Sequence, residues 1–110
     1  MAEEKEETKV PRRKRKAIDA LGEFLEDNHL DADIKNKIAD LKEVKAELPR
    51  GSNPDVAFVV KDDADNQLFW VAMVTNGCYI KGLDNSERTK TLLQKLRSVM
   101  AEAHITARRL

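Results

Sequence analysis

The sequence predicts an α+β domain in which an αα-hairpin is followed by a three-stranded antiparallel meander and by a C-terminal helix packed on the sheet. Apolar residues recur with helical spacing in two stretches near the N-terminus and in one near the C-terminus. Between them, short runs rich in β-branched and aromatic residues alternate with turn sequences. A chain of 110 residues has room for one domain with one modest core.

The N-terminal residues divide into a tail and a basic arm. Residues 1–11 are polar, lack periodic apolar positions and end at Pro11, so we expect a disordered acidic tail there. Residues 12–110 are expected to form a single α+β domain, with the arm at 12–16 leading into the first helix.

Two helices are predicted before the sheet. In the first, Ile18, Leu21 and Leu25 follow i, i+3, i+7 spacing, and a stop is expected at residues 28–29. The second is expected to begin near Asp31, whose carboxylate can cap helix N–H groups, and to end at residue 48 before a proline. The few residues between them favour an antiparallel hairpin. The second helix carries an apolar stripe of Ile34, Ile38, Leu41, Val44 and Leu48.

Three strands are predicted at residues 56–60, 68–74 and 78–81. Turn-forming residues 62–66 separate the first two strands, and Asn76-Gly77, which favours a type I′ turn, precedes the third. The middle strand is apolar on both sides, unlike a strand with one solvated face. We therefore expect the sheet to be covered on both faces, by helices of this chain or by a second copy of it.

The last helix is expected to begin near residues 84–87, which offer several N-caps. One of its faces is apolar and includes Leu92, Leu93, Leu96, Val99, Met100 and Ala103. If the helix extends to residue 108, another of its faces forms a polar stripe of Lys90, Gln94, Arg97, Ala101, His104 and Arg108.

The predicted order from the second helix onward, α–β–β–β–α, resembles double-stranded RNA-binding domains in topology alone. Such domains read duplex shape through cations on a helix. Their glycine-rich third strand and lysine cluster have no match here, where only Arg88 and Lys90 occupy the corresponding region, so no family is assigned.

Charge is the main functional clue, because a chain of zero net charge concentrates its cations at both ends. Residues 1–16 carry a net charge of +3 and residues 87–110 a net charge of +4, whereas 17–48 carry −5 and 49–86 carry −2. A local positive field suits a polyanion or an acidic protein surface. The candidate nucleic-acid-binding residues are Arg12, Arg13, Lys14, Arg15 and Lys16 in the arm and Arg88, Lys90 and Arg97 in the last helix.

The sequence therefore predicts a small non-enzymatic nucleic-acid-binding accessory protein, with DNA and RNA left open. The alternative is a protein–protein interaction module, that is, an adaptor or inhibitor, either as a monomer or as a homodimer. In that case the basic arm acts as a localisation or docking signal. No membrane partner is expected, and an intracellular site, including nucleus or nucleoid, is anticipated because a single cysteine favours a reducing compartment.

No enzyme, cofactor or metal is expected. Two histidines and one cysteine cannot complete the usual zinc site, and the sequence has no glycine-rich phosphate loop. The acidic turn at 62–66 does not fit a calcium loop, because Leu68 and Val74 occupy positions that require glycine and glutamate when counting starts at Asp63.

Overall fold

A computed structural model describes residues 12–75 and 77–110, so the predicted disordered tail at 1–11 lies outside the described residues. The elements follow in the order α1 (Arg12–Asp27), β1 (Asp31–Lys35), α2 (Ile38–Glu47), β2 (Val56–Lys61), β3 (Gln67–Val74), β4 (Gly77–Gly82), α3 (Glu87–Glu102) and β5 (Ala107–Arg109).

The five strands form one mixed sheet in the order β1-β2-β3-β4-β5. The predicted meander is confirmed, since β2 pairs antiparallel with β3 and β3 pairs antiparallel with β4. Two strands were not predicted: β1 adds to β2 in antiparallel fashion, and β5 adds to β4 in parallel. The α+β class is thus confirmed, but the sheet is larger than the sequence indicates.

The predicted αα-hairpin is wrong, because a strand follows α1 where the second helix was expected. His29 adopts a left-handed conformation with φ 55°. The N–H of Leu30 donates to the carbonyl of Leu25 at 2.8 Å, and that of His29 donates to Glu26 at 3.3 Å. This Schellman arrangement ends the helix and turns the chain into β1. One ion pair links the strand to the next hairpin, since Lys61 lies 3.2 Å from Asp33, and a second pair within that hairpin places Lys61 2.8 Å from Asp65.

The apolar stripe predicted for one long helix is divided between β1 and α2. Ile34 lies in β1 and Ile38 begins α2, and both are well exposed, at 57% and 77%. Only the C-terminal part of the stripe packs on the sheet, through Val44 and Leu48. Pairing with β2 outweighs the helical spacing of residues 31–35, which shows tertiary contacts overriding a local pattern.

Both sheet faces are covered from within the described chain. One face carries the main core, in which α1 and α3 bury side chains such as Leu21, Phe24 and Leu96 against the sheet. The other carries a smaller cluster formed by Ala57, Trp70, Ala72 and Tyr79 beneath Val44 and Leu48. The expectation of two covered faces is therefore met without a second copy.

Helix α3 begins and ends with defined caps. The hydroxyl of Ser86 accepts the N–H of Thr89 at 3.1 Å, which satisfies one free donor of the first turn. At the other end His104 has φ 63°, and Ile105 donates to the carbonyl of Met100 at 2.8 Å. The predicted polar stripe therefore stops at Ala101 within the helix, and both His104 and Arg108 lie beyond it.

A close backbone approach fastens β5 to β4. Gly77 pairs with Val74 and is the first residue of β4, while Asn76 of the predicted turn lies outside the described residues. Gly77 has φ 140°, and a Cβ atom built on it would meet the carbonyl oxygen of Thr106 at 2.3 Å. The N–H of Cys78 donates to that same oxygen at 3.0 Å. Only glycine leaves room for this contact.

Candidate polyanion-binding surface

Arg88, one of the predicted nucleic-acid contacts, is committed to a structural ion pair. Its guanidinium donates to Asp62 Oδ2 at 3.0 Å. The Asp62 carboxylate, only 6% exposed as a residue, also accepts from the backbone N–H groups of Asn66 (2.9 Å) and Ala64 (3.0 Å). These bonds, led by the one from the Asn66 N–H, hold the pKa of Asp62 below its usual value. Arg88 therefore clamps α3 to the β2–β3 turn.

Lys90, a second predicted contact, is weakly paired. Its ammonium lies 3.6 Å from the carboxylate of Glu87 one helical turn earlier, and both side chains are exposed. Exposed pairs of this kind are worth roughly 0–1 kcal/mol. Lys90 is thus available to an external anion, but its charge is partly offset at short range.

Arg97, the third predicted contact on α3, is exposed and forms no ion pair with the residues that the structure describes. It lines a cleft of about 600 Å³ between α3 and the approach to β5. The described residues around this cleft include no carboxylate, and they supply polar groups from Gln94, Ser98, His104 and Thr106. A cation among neutral donors matches the needs of a phosphate group.

The neighbouring cleft between α1 and α3 has the opposite character. It is lined by Glu23 and Asp27 of α1 and by Lys95 and Glu102 of α3. Three carboxylates and one ammonium give it net negative charge at neutral pH. The C-terminal halves of the two helices therefore form an acidic surface. The absence of carboxylates is confined to the cleft of Arg97 and does not extend to this neighbouring cleft.

Arg108 and Arg109 add two cations at the edge strand. Arg108 lies over the ring of Tyr79, with 5.9 Å between its guanidinium carbon and the ring centroid, and donates to the Tyr79 hydroxyl oxygen at 3.3 Å. Arg109 is exposed and forms no ion pair among the described residues. Since successive residues of a strand point to opposite faces, the two arginines project from opposite sides of β5.

Tyr79 forms the floor of a second pocket without carboxylates. The Ser52 hydroxyl donates to Tyr79 Oη at 3.5 Å from the loop before β2. This bond and that from Arg108 lower the pKa of the Tyr79 hydroxyl. The pocket, of about 140 Å³, is also lined by Gly51, Asn53, Val74 and Thr75. We call Arg97, Arg108 and Arg109 with these two clefts the C-terminal basic surface, although the cleft of Arg97 borders the main core and the Tyr79 pocket borders the smaller cluster on the other face of the sheet.

The sequence contained only part of the signal for this surface. Arg97, one of the predicted contacts, is exposed, whereas Arg108 and Arg109 are not among the predicted contacts. Ser52 and Tyr79 are not among the predicted contacts either, because their approach depends on the turn at Pro49. There the N–H of Ser52 donates to the Pro49 carbonyl at 3.1 Å, and Gly51 has φ 90°. Gly51 after Arg50 was the available clue to this turn.

The arm forms the N-terminal end of α1. The backbone of residues 12–16 is helical, and Lys16 is exposed, while the side chains of Arg12, Arg13, Lys14 and Arg15 lie outside the described part of the structure. At a rise of about 1.5 Å per residue along this helix of 16 residues, the start of the arm at Arg12 lies about 22 Å from Asp27, and its end at Lys16 lies about 10 Å from Glu23.

Groups suited to holding a metal ion do not come together in the described part of the chain. No three His, Cys, Asp or Glu side chains within it are placed to hold a metal ion. Cys78 is buried, which raises the pKa of its thiol to about 12. Within residues 12–75 and 77–110, every helix is too short or too polar to span a bilayer.

The chain was compared with models of protein families, with curated proteins and with solved structures, and none of them matches it.

Proposed function

We propose that this is a non-enzymatic nucleic-acid-binding accessory protein that holds phosphate groups through the arm and through the C-terminal basic surface. The observation that carries the proposal is the arrangement around α3 and β5. Three arginines occur there without carboxylate partners among the described residues, beside clefts lined by neutral hydrogen-bond donors.

The distinction between paired and unpaired arginines decides which cations we assign to binding. To reach a phosphate, Arg88 must leave Asp62, and a nearly buried carboxylate would lose its cation. Arg97 and Arg109 give up no internal ion pair. We therefore assign the helix contact to Arg97 and treat Lys90 as a peripheral one.

The clefts supply the chemistry that phosphodiesters require. A guanidinium can donate two parallel hydrogen bonds to phosphate oxygens, and hydroxyl or amide groups can complete the coordination of the anion. Around Arg97 these groups come from Gln94 and Thr106, since the Ser98 hydroxyl already donates to the carbonyl of Gln94 at 3.3 Å. Contacts of this kind read the backbone and not the bases, so we expect weak sequence preference and strong salt dependence.

The test is a fluorescence-anisotropy titration of labelled duplex and single-stranded oligonucleotides at several ionic strengths, with Arg97→Gln compared against Lys42→Gln. Lys42 is an exposed lysine on α2 that lines neither cleft of this surface, and its replacement removes the same charge. We expect Arg97→Gln to reduce the slope of log Kd against log salt by about 0.9 on duplex and about 0.7 on single strands.

The control should leave that slope unchanged. If the wild-type chain binds neither duplex nor single strands at low salt, the proposal is wrong. If the two variants lose the same affinity, net charge and not the C-terminal basic surface governs binding.

A second candidate function, a protein-interaction module, is favoured by the exposed apolar residues near β1. Ile34 and Ile38 are both exposed, and Ile34 continues a groove between α1 and the sheet that includes Ile18 and Phe58. In this version the arm is a docking or localisation signal. Binding of oligonucleotides by the wild-type chain in the titration above would count against this second candidate function.

A further inference from the structure

Strand β1 forms one edge of the sheet and pairs with β2 on one side only. Edge strands expose unpaired backbone donors and acceptors, and proteins commonly block them with charges, prolines or bulges. Here the strand has no proline, and its fourth residue is the exposed Ile34. The arrangement of the charged side chains on either side of Ile34 therefore decides whether this edge is blocked or can pair with a partner.

The charges around Ile34 are antisymmetric. Reading outward, Asp33 on one side corresponds to Lys35 on the other, and Asp31 corresponds to Lys37. If two copies of the strand pair antiparallel about a two-fold axis at Ile34, residues at equal distance from Ile34 lie opposite each other. Each aspartate of one copy then faces a lysine of the other, and the two Ile34 side chains meet.

The two neighbouring in-phase registers, centred on Asp33 and on Lys35, each place a charged side chain opposite its own copy. Side chains alternate between the faces of a strand, so only registers shifted by two residues keep apolar side chains together. Centring the pairing on Asp33 places that carboxylate opposite its own copy, and like charges directly opposite each other are destabilising. Centring it on Ile34 leaves no like pair between Asp31 and Lys37.

Local geometry fits an extended pairing centred on Ile34. Lys37, the residue before α2, has extended backbone angles of φ −77° and ψ 148°, so the strand conformation can continue to it. Asp31 and Lys37 are exposed, and neither forms an ion pair within the described residues. Asp33 contacts Lys61 through Oδ2, which leaves its other oxygen for a second cation.

The apolar side of the strand also gains from a second copy. Ile34 lies opposite Phe58 in the β1–β2 ladder and so belongs to the same face as the main core. This face borders a groove of about 540 Å³ lined by Ile18, Leu25 and Ala32 among others. Pairing brings the Ile34 side chain of the second copy to this rim, where it removes apolar surface from water.

We propose that β1 pairs antiparallel with β1 of a second copy, centred on Ile34, and joins two five-stranded sheets into one continuous sheet. The charges on this edge specify the partner and the register instead of blocking association. This inference is independent of nucleic-acid binding, since the arm and the C-terminal basic surface take no part in it.

The experiment is sedimentation velocity of the full chain over a range of concentrations, without nucleic acid, on four proteins: the wild type, Asp31→Lys, Lys37→Asp and the double exchange. Each single substitution converts two symmetry-related attractive pairs into repulsive ones, and we expect it to weaken dimerisation by about tenfold. The double exchange restores opposite charges across the axis and should recover most of the wild-type affinity.

Ile34→Lys is the companion variant, because the side chain is exposed in the monomer and its replacement should leave the helical circular dichroism unchanged. It should abolish the dimer. A wild-type chain that stays monomeric throughout, or a double exchange that associates no better than the single variants, would overturn the proposed pairing whether or not oligonucleotides bind.

Discussion

Replacing Gly77 with alanine tests how β5, which carries Arg108 and Arg109, is attached to the sheet. A Cβ at this position would lie 2.3 Å from the Thr106 carbonyl oxygen, and the backbone φ of 140° is unfavourable for any L side chain. The obstructing atom belongs to the backbone, so it cannot rotate away. The strand must then shift, and the hydrogen bond from the Cys78 N–H to Thr106 is expected to lengthen or break.

The magnitude follows from the backbone strain together with the displaced contact. A residue held in an unfavourable φ region costs about 1–3 kcal/mol, to which the displaced contact adds, so we expect a loss of at least about 2 kcal/mol in unfolding free energy. For a domain of this size that corresponds to a fall in Tm of roughly 8–16 °C.

Gly22→Ala is the matched control, because it makes the same chemical change in a different environment. Gly22 lies exposed within α1, and nothing comes within 4 Å of an added Cβ. Alanine is favoured over glycine in a helix interior by about 0.5–1 kcal/mol, so this variant should be stabilised. Thermal unfolding followed by circular dichroism gives both values. If Gly77→Ala unfolds at the wild-type temperature, the close approach of Thr106 is not a feature of the folded protein.

Three further predictions concern the caps, the thiol and the acid response. His104→Gly should raise Tm, since glycine adopts the left-handed conformation after α3 at lower cost than histidine; an unchanged or lower Tm would contradict this. Cys78 should resist a thiol reagent at pH 8 in the native state and react on unfolding in urea, because burial raises its pKa to about 12; rapid native labelling would disagree. The lowered pKa of Asp62 means that its ionised form stabilises the fold. That contribution is present above the unfolded-state pKa and is lost as pH falls through the lower folded-state value. Asp62→Asn should therefore weaken the fall in urea midpoint below pH 4, and an identical acid profile would count against the Asp62–Arg88 clamp.

The parts of the fold that could be predicted depend on contacts close in sequence. The meander is encoded by dense β-branched and aromatic runs separated by short turns, and α3 by an unbroken apolar face with Ser86 before it. Strand β1 could not be recognised in this way, because Ile34 and Ile38 have helical spacing and only pairing with β2 makes the first of them part of a strand. Strand β5 is three residues long and pairs with a strand almost thirty residues earlier, so it leaves no periodic signal.

The sequence shows which cations lie on the last helix, but it does not show which of them form ion pairs within the fold. The sequence identifies Arg88 and Arg97 as equivalent cations on one helix. Asp62 makes them different, since it lies 26 residues before Arg88 and reaches it only after the β2–β3 turn folds. Which arginine remains available to an anion is therefore a tertiary property.

The central claim is that the cations of the arm meet a polyanion from outside. The most direct measurement is the slope of log Kd against log salt for duplex binding by the wild type and by a variant with alanine at Arg12, Arg13, Lys14, Arg15 and Lys16. If these side chains contact phosphates, the slope should fall by up to about 4.5 and the low-salt affinity should drop by orders of magnitude. An unchanged slope and affinity would contradict the account.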